Sequence, residues 1–126
     1  MSEYSRTICD GTLTVRIGKA EDVQLVALCG ELDLANAETA KAELETVLAD
    51  EAVEAVVDMR ELEFIDSTGI ALLVATLNGH GDGGRLRFIP SRSPAVHRVL
   101  EVTGIEDKLP LADDGSLGEE SASPSL

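Results

Sequence analysis

Aromatic side chains are scarce: of 126 residues one is tyrosine, two are phenylalanine and none is tryptophan. Without flat rings to stack on bases, a single-stranded nucleic-acid platform is excluded. The core must then be built from valine, leucine, isoleucine and alanine, whose branching favours a sheet covered by helices. Positive charge is also short, with ten lysines and arginines against 24 aspartates and glutamates and a formal net charge of −14. Nucleic acid and anionic lipid are both gripped by clustered lysine and arginine, so neither nucleic acid nor membrane is expected as a partner. No apolar run approaches the roughly 20 residues that cross a bilayer. The opening Met1-Ser2-Glu3-Tyr4-Ser5-Arg6 has no signal-peptide apolar stretch either, which predicts a cytoplasmic protein.

Several reactive patterns are missing as well. Cys9 and Cys29 form no CxxC pair and read as reduced thiols acting as small hydrophobes. His80 and His97 have no Glu or Cys at ligand spacing and read as surface residues, so no metal and no cofactor are expected. Ile65 stands two residues before Ser67, where a nucleophile elbow needs glycine, so hydrolase chemistry has no support and no catalysis is expected. Gly79-His80-Gly81-Asp82-Gly83-Gly84 spells GxGxxG, but it follows a helix and precedes a strand, the reverse of a dinucleotide-binding turn.

What is present suits one domain: 126 residues, 44% of them hydrophobic, make a single core. Residues 13–17 and 23–29 are strand-like and flank a polar, glycine-containing loop, so two antiparallel strands are expected to open the domain. Residues 35–49 place Ala37, Ala40, Leu44, Val47 and Leu48 on one helical face, with Asp33 or Asn36 as the cap. Residues 53–59 form a short apolar strand, 70–77 a helix so apolar that most of it is expected to be buried, and 86–89 another strand. Ser93 followed by Pro94 starts a helix that ends at Gly104. Lys108-Leu109-Pro110-Leu111 suits an edge strand, where the missing N–H of proline faces outward. Residues 112–126 are glycine, serine, proline and acid, and read as a disordered acidic tail. The tail carries Asp113, Asp114, Glu119 and Glu120 and no base, which leaves −10 on the rest of the chain.

The most informative stretch is residues 56–74, where a buried strand leads through Asp66-Ser67-Thr68-Gly69 into the apolar helix. A hydroxyl at a helix start faces unpaired N–H groups and the positive end of the helix dipole, a setting that suits phosphate. Aspartate and serine are also ordinary helix caps, so the tetrapeptide alone says little. Its context says more, since Gly30-Glu31-Leu32-Asp33 stands at another strand end upstream.

With Val57-Asp58, Phe64-Ile65-Asp66-Ser67-Thr68-Gly69, Ser93-Pro94-Ala95-Val96 and Val102-Thr103-Gly104-Ile105 in that order after Gly30-Glu31-Leu32-Asp33, the chain resembles the STAS domain. Within that family it resembles the bacterial anti-sigma factor antagonists. The resemblance implies the STAS fold over residues 1–111, an α/β arrangement with a four- to five-stranded mixed sheet covered by three to four helices. It further implies that Ser67 is phosphorylated by an anti-sigma factor acting as a serine kinase, and that a serine phosphatase reverses the step. Unmodified protein then binds the anti-sigma factor and frees sigma, with ATP belonging to the partner. Asp66 belongs to the phosphorylation turn, Asp33 lies near it, and Thr68 is a neighbouring hydroxyl. Two departures stand out: glycines at 79–84 where the family often has a longer, more basic helix end, and a poor helix former where many relatives have a last helix.

Ser67, Ala71 and Ala75 recur every four residues and share one helix face. Small side chains there either admit a partner's backbone or pack under a loop. Two rival functions stand beside the antagonist. One is a STAS module of a lipid or anion transporter or a stress-signalling complex, which carries no phosphate. The other is an aspartyl-phosphate receiver, suggested by Asp58 at a strand end and by Lys108. The receiver needs an acidic pair after its first strand for Mg²⁺, and residues 12–18 offer no carboxylate, so Asp58 is expected to cap a strand-to-helix turn.

Overall fold

In the computed structural model, which describes residues 2–50, 53–80 and 85–112, one mixed sheet carries every helix on a single face. The strands are β1 (Ser2–Asp10), β2 (Leu13–Ala20), β3 (Val23–Leu32), β4 (Glu54–Asp58), β5 (Leu62–Ile65) and β6 (Leu86–Ile89). The helices are α1 (Ala37–Leu48), α2 (Ser67–His80) and α3 (Pro94–Val102), followed by a 3₁₀ turn over Glu106–Lys108. The sheet order is β1-β2-β3-β4-β6, antiparallel across β1-β2-β3 and parallel from β3 onward. The expected α/β arrangement is present, with six strands rather than four to five, and three antiparallel strands open the domain rather than two.

The two extra strands have identifiable causes. β1 is an edge strand with largely polar, exposed residues, so it lacks an apolar period; it is held by pairing to β2 and by a two-pronged Arg6–Glu43 contact to α1 at 2.8 and 3.3 Å. β5 has only four residues and exists because β3 is twice as long as β4. Val23 to Ala27 pair with β4, and Gly30 to Leu32 pair with β5 along the same edge. The chain turns between β4 and β5 at residues 59–61, where Asp58 binds the Arg60 side chain at 2.7 and 3.0 Å and accepts the Arg60 N–H at 3.0 Å. Asp58 therefore fixes a strand-to-strand turn rather than capping a helix. The Ser91 and Ser93 hydroxyls donate to the Leu62 and Glu63 carbonyls at 2.6 and 3.3 Å, which secures β5 from the loop after β6. Ser93 is thus the N-cap of α3 by position only, since its hydroxyl makes no cap bond.

The edge strand expected at 108–111 is reduced to one parallel bridge between Leu111 and Phe88, flanked by Phe88 N–H to Pro110 O at 2.8 Å and Ala112 N–H to Phe88 O at 2.7 Å. Lys108 lies in the 3₁₀ turn instead, because Gly104 closes α3 with paired bonds from Gly104 N–H to Glu101 O and from Ile105 N–H to Leu100 O. Ala112 is buried; residues 113–126, the rest of the expected tail, lie outside the described residues, as do 81–84 of the GxGxxG stretch.

The main core lies between the sheet and the helices, with Val26, Leu28, Val57 and Phe88 against Leu44, Leu73, Val96 and Leu100. Alternate strand residues form a smaller cluster on the other face, Leu25, Val56 and Ile89, joined by Ala20 and Ala112.

Gly30 has no room for a side chain. Its φ is +95°, and an added Cβ would sit 2.1 Å from the Thr12 carbonyl oxygen. Gly104, at φ +77°, has open space where a Cβ would go. Gly104→Ala is therefore expected to cost about 1 kcal/mol in urea unfolding, and Gly30→Ala about 3 kcal/mol or loss of folding. Equal costs would show that the Thr12 contact is unimportant.

Candidate functional site

α2 begins at Ser67 with its first N–H groups lacking acceptors inside the helix. Asp66 supplies one: its Oδ1 accepts the Gly69 N–H at 3.0 Å, and its carbonyl accepts Ile70 N–H at 2.9 Å. The cap is therefore Asp66, and Ser67 is the first helical residue. The other oxygen of Asp66 accepts Leu34 N–H at 3.1 Å, and Asp66 N–H donates to Leu32 O at 3.2 Å. One residue thereby fastens the start of α2 to the loop between β3 and α1.

That loop is itself internally braced. Asp33 Oδ1 accepts Ala35 N–H at 3.0 Å, while the buried Asn36 amide donates to Glu31 O at 2.9 Å and accepts Asp33 N–H at 3.0 Å. Asn36 occupies the cap position of α1, but its side chain holds the loop rather than capping the helix. Gly69 lets the helix approach, since a Cβ there would meet Ile65 Cγ1 at 2.6 Å and Leu32 Cγ at 3.0 Å.

The residues expected to form the site stand as follows. Asp33 and Asp66 meet through residues 34 and 35, as the Leu34 and Ala35 contacts show. Ser67 is exposed, and among the described residues nothing hydrogen-bonds its hydroxyl. Thr68 is half-buried beside it, and Ala71 and Ala75 are exposed on the same face, with no described loop over them. The apolar helix is thus less covered than its composition suggests: Leu72 and Leu73 are buried, Ile70, Val74 and Leu77 only half so. Farther along, Ala75 borders a groove of about 60 Å³ between α1 and α2, where Lys41, Leu44 and His80 also lie.

Two exposed apolar residues near the site escape sequence reasoning. Leu34 is 75% exposed and follows Asp33 directly; Phe64, 43% exposed, lies two residues before Asp66 and pairs in register with Glu31. The one available signal was an acidic residue directly before each of them, Asp33 and Glu63, near a strand end. His97 is not isolated, since its ring meets Glu106 at 3.2 Å.

A family model described as "Mlab, STAS domain" matches residues 15–112, from β2 to the Leu111 bridge. The chain belongs to the STAS domain family. Its STAS domain is 25% identical over 95 residues to the anti-sigma-F factor antagonist RsfB of Mycobacterium tuberculosis, covering 75% of this chain and 77% of that one. It is 28% identical over 82 residues to the anti-sigma-B factor antagonist of Staphylococcus aureus, covering 65% and 76%. The crystal structure of an anti-sigma factor antagonist from Mycobacterium paratuberculosis superposes with a TM-score of 0.71 at 27% identity, covering 79% of this chain and 84% of that one. Among the described residues of this STAS domain, no helix is long and apolar enough to cross a membrane.

The two bonds of Asp66 set a stability expectation. Asp66→Ala is expected to lower unfolding free energy by about 1 to 2 kcal/mol, the range for losing a helix cap, whereas Thr68→Ala stays within about 0.5 kcal/mol. Urea denaturation of both variants measures this, and equal losses would show that Asp66 is not the cap.

Proposed function

We infer that this STAS domain is an anti-sigma factor antagonist whose docking face is centred on Ser67. In this reading the unmodified protein binds an anti-sigma factor and thereby frees a sigma factor. That anti-sigma factor, acting as a serine kinase with its own ATP, phosphorylates Ser67 and ends the complex; a serine phosphatase restores it. Support comes from the relatives, which carry the antagonist name, and from the placement of one residue. Ser67 is exposed at the first turn of an apolar helix, with Asp66, Asp33 and Thr68 around it and Leu34, Phe64, Ala71 and Ala75 open to solvent. Exposed apolar groups gathered near one polar hydroxyl suit a protein interface.

The charge change is close to the size that a full switch needs. A phosphate adds about −1.5 to −2 charges, and beside a carboxylate at about 6 Å with an effective dielectric near 20 the repulsion is about 4 to 5.5 kcal/mol before salt screening lowers it. Moving a binding equilibrium from 1:99 to 99:1 takes about 5.5 kcal/mol. In the free protein the same phosphate sits at the positive end of the α2 dipole and in water, which makes it tolerable to the fold. Phosphorylation therefore opposes docking much more than it opposes folding.

The test is to incubate the protein with the partner anti-sigma factor and ATP and map the product by mass spectrometry. Phosphate on Ser67, absent from Ser67→Ala, is expected; a folded protein left unlabelled would point to the non-phosphorylated STAS module of a transporter or stress complex, and acid-labile label on Asp58 to a receiver. Ala75→Glu places charge on the exposed stripe and is expected to weaken anti-sigma binding at least about tenfold, or 1.4 kcal/mol. Unchanged affinity in a folded Ala75→Glu protein would remove that stripe from the interface.

A further inference from the structure

The sheet face that carries no helix holds a second constellation, separate from Ser67. Arg16 on β2 and Cys29 on β3 point to this face, because their neighbours Val15 and Leu28 point into the main core. Asp58 on β4 does the same opposite Val57. Together with Tyr4 from β1, Arg60 from the β4–β5 turn and Arg92 from the loop after β6, they line a cleft of about 240 Å³. Five separate segments of the chain thus converge on one concavity, near the carboxyl ends of β3 and β4, where open parallel sheets commonly receive ligands.

The charge of this cleft runs against that of the chain. Only ten lysines and arginines serve all 126 residues, yet three arginines meet here, against the two carboxylates of Asp58 and Glu61. Asp58 is committed: the Arg60 side chain holds both of its oxygens, and both partners are largely buried, so this pair is a fixed part of the wall. Glu61 is loosely held, 3.6 Å from Arg92 with both side chains about two-thirds exposed, an ion pair that a competing anion replaces at little cost. Arg16 makes no ion pair with any described residue.

The remaining polar groups are neutral donors. Burial, reinforced by the nearby Asp58 charge, raises the Tyr4 pKa. Burial likewise raises that of Cys29, although Arg16 opposes it. Both keep their protons at neutral pH, so the phenol and thiol have hydrogen to offer and the cysteine is a poor nucleophile. Beside the Asp58 carboxylate bound to Arg60 and the loosely held Glu61, the lining is guanidinium, phenol and thiol donors, with a small apolar floor at Ala27.

We propose that this cleft is a binding site for a small organic oxyanion, a carboxylate or phosphate held between the Arg16 and Arg92 guanidiniums with Tyr4 as a further donor. A space of about 240 Å³ is below the usual range of nucleotide-sized pockets and suits a small molecule. The protein's overall negative charge does not prevent this, because acids farther than about 8 Å are screened at physiological salt.

The chain supplies its own reporter: Tyr4 is its single tyrosine and tryptophan is absent, so tyrosine emission reads this cleft alone. Sodium succinate and inorganic phosphate, each titrated into the full chain at constant ionic strength, are expected to change Tyr4 emission saturably and to move the backbone amide resonances of Cys29 and Arg60. Arg16→Gln and Arg92→Gln, both at exposed positions, are expected to raise the half-saturation concentration about tenfold, the worth of a hydrogen bond to a charged group. Ser67→Ala is expected to leave it unchanged, which separates this site from the docking face. Saturation by succinate alone, by phosphate alone or by both assigns the carboxylate, the phosphate or their shared chemistry. No saturable change in either readout by about 50 mM of either anion, an affinity too weak to matter, overturns the proposal, and so does saturation indifferent to both arginine substitutions.

Discussion

One carboxylate organises the end of the molecule that carries Ser67. A helix beginning where two strand ends and a loop meet must find acceptors for its first N–H groups, and Asp66 supplies one while its second oxygen holds Leu34 N–H. Because the cap lies at Asp66, the next residue enters the helix with its side chain outside, which is why Ser67 is exposed although its neighbours Ile65 and Gly69 are buried. Because the same carboxylate reaches the β3–α1 loop, Asp33 and Leu34 are held beside the helix start. Gly69 completes the arrangement by leaving room for Ile65 and Leu32. A phosphate added to Ser67 then meets two opposing fields, a favourable helix terminus and an unfavourable cap carboxylate, so solvent tolerates it and a dry interface does not.

The long-range frame for this is the division of β3. Ten residues of one strand serve two parallel partners in succession, and the switch from β4 to β5 requires the turn that Asp58 and Arg60 lock and the left-handed glycine at position 30. β5 then delivers the chain to Asp66 at the edge of β3, next to the loop that β3 itself runs into. The motif Gly30-Glu31-Leu32-Asp33 and the motif around Ser67 are distant in sequence and adjacent in space for this reason.

Strong local periodicity was readable without the structure. Residues 86–89 form the strand expected, and α1, α3 and β4 deviate by a residue or two at their ends, since amphipathic spacing and proline at the first helical turn act locally. β1 and β5 were not readable, because β1 is a polar edge and β5 owes its pairing to the length of a distant strand. Caps were readable as a residue class but not as individuals: Asn36 and Ser93 stand at cap positions, yet Asn36 spends its side chain bracing its own loop and Ser93 on the Glu63 carbonyl, and Asp66 rather than Ser67 serves α2. At the candidate site, the four-residue spacing of Ser67, Ala71 and Ala75 places them on one helix face, which is exposed, whereas Asp66 and Asp33 entered the site through the resemblance to STAS domains. Leu34 and Phe64 do not, since exposure of an apolar side chain depends on what fails to cover it.

In the proposed function, one added dianion at Ser67 separates docking from folding. The most direct measurement compares Kd for the anti-sigma factor, by calorimetry, between unmodified protein and protein phosphorylated at Ser67, alongside thermal unfolding of both. A loss of affinity of at least about a hundredfold, or 2.7 kcal/mol, is expected, with melting temperatures within a few degrees of each other. Equal affinity of the two forms, or a loss of affinity that tracks unfolding of the phosphorylated protein, would contradict it.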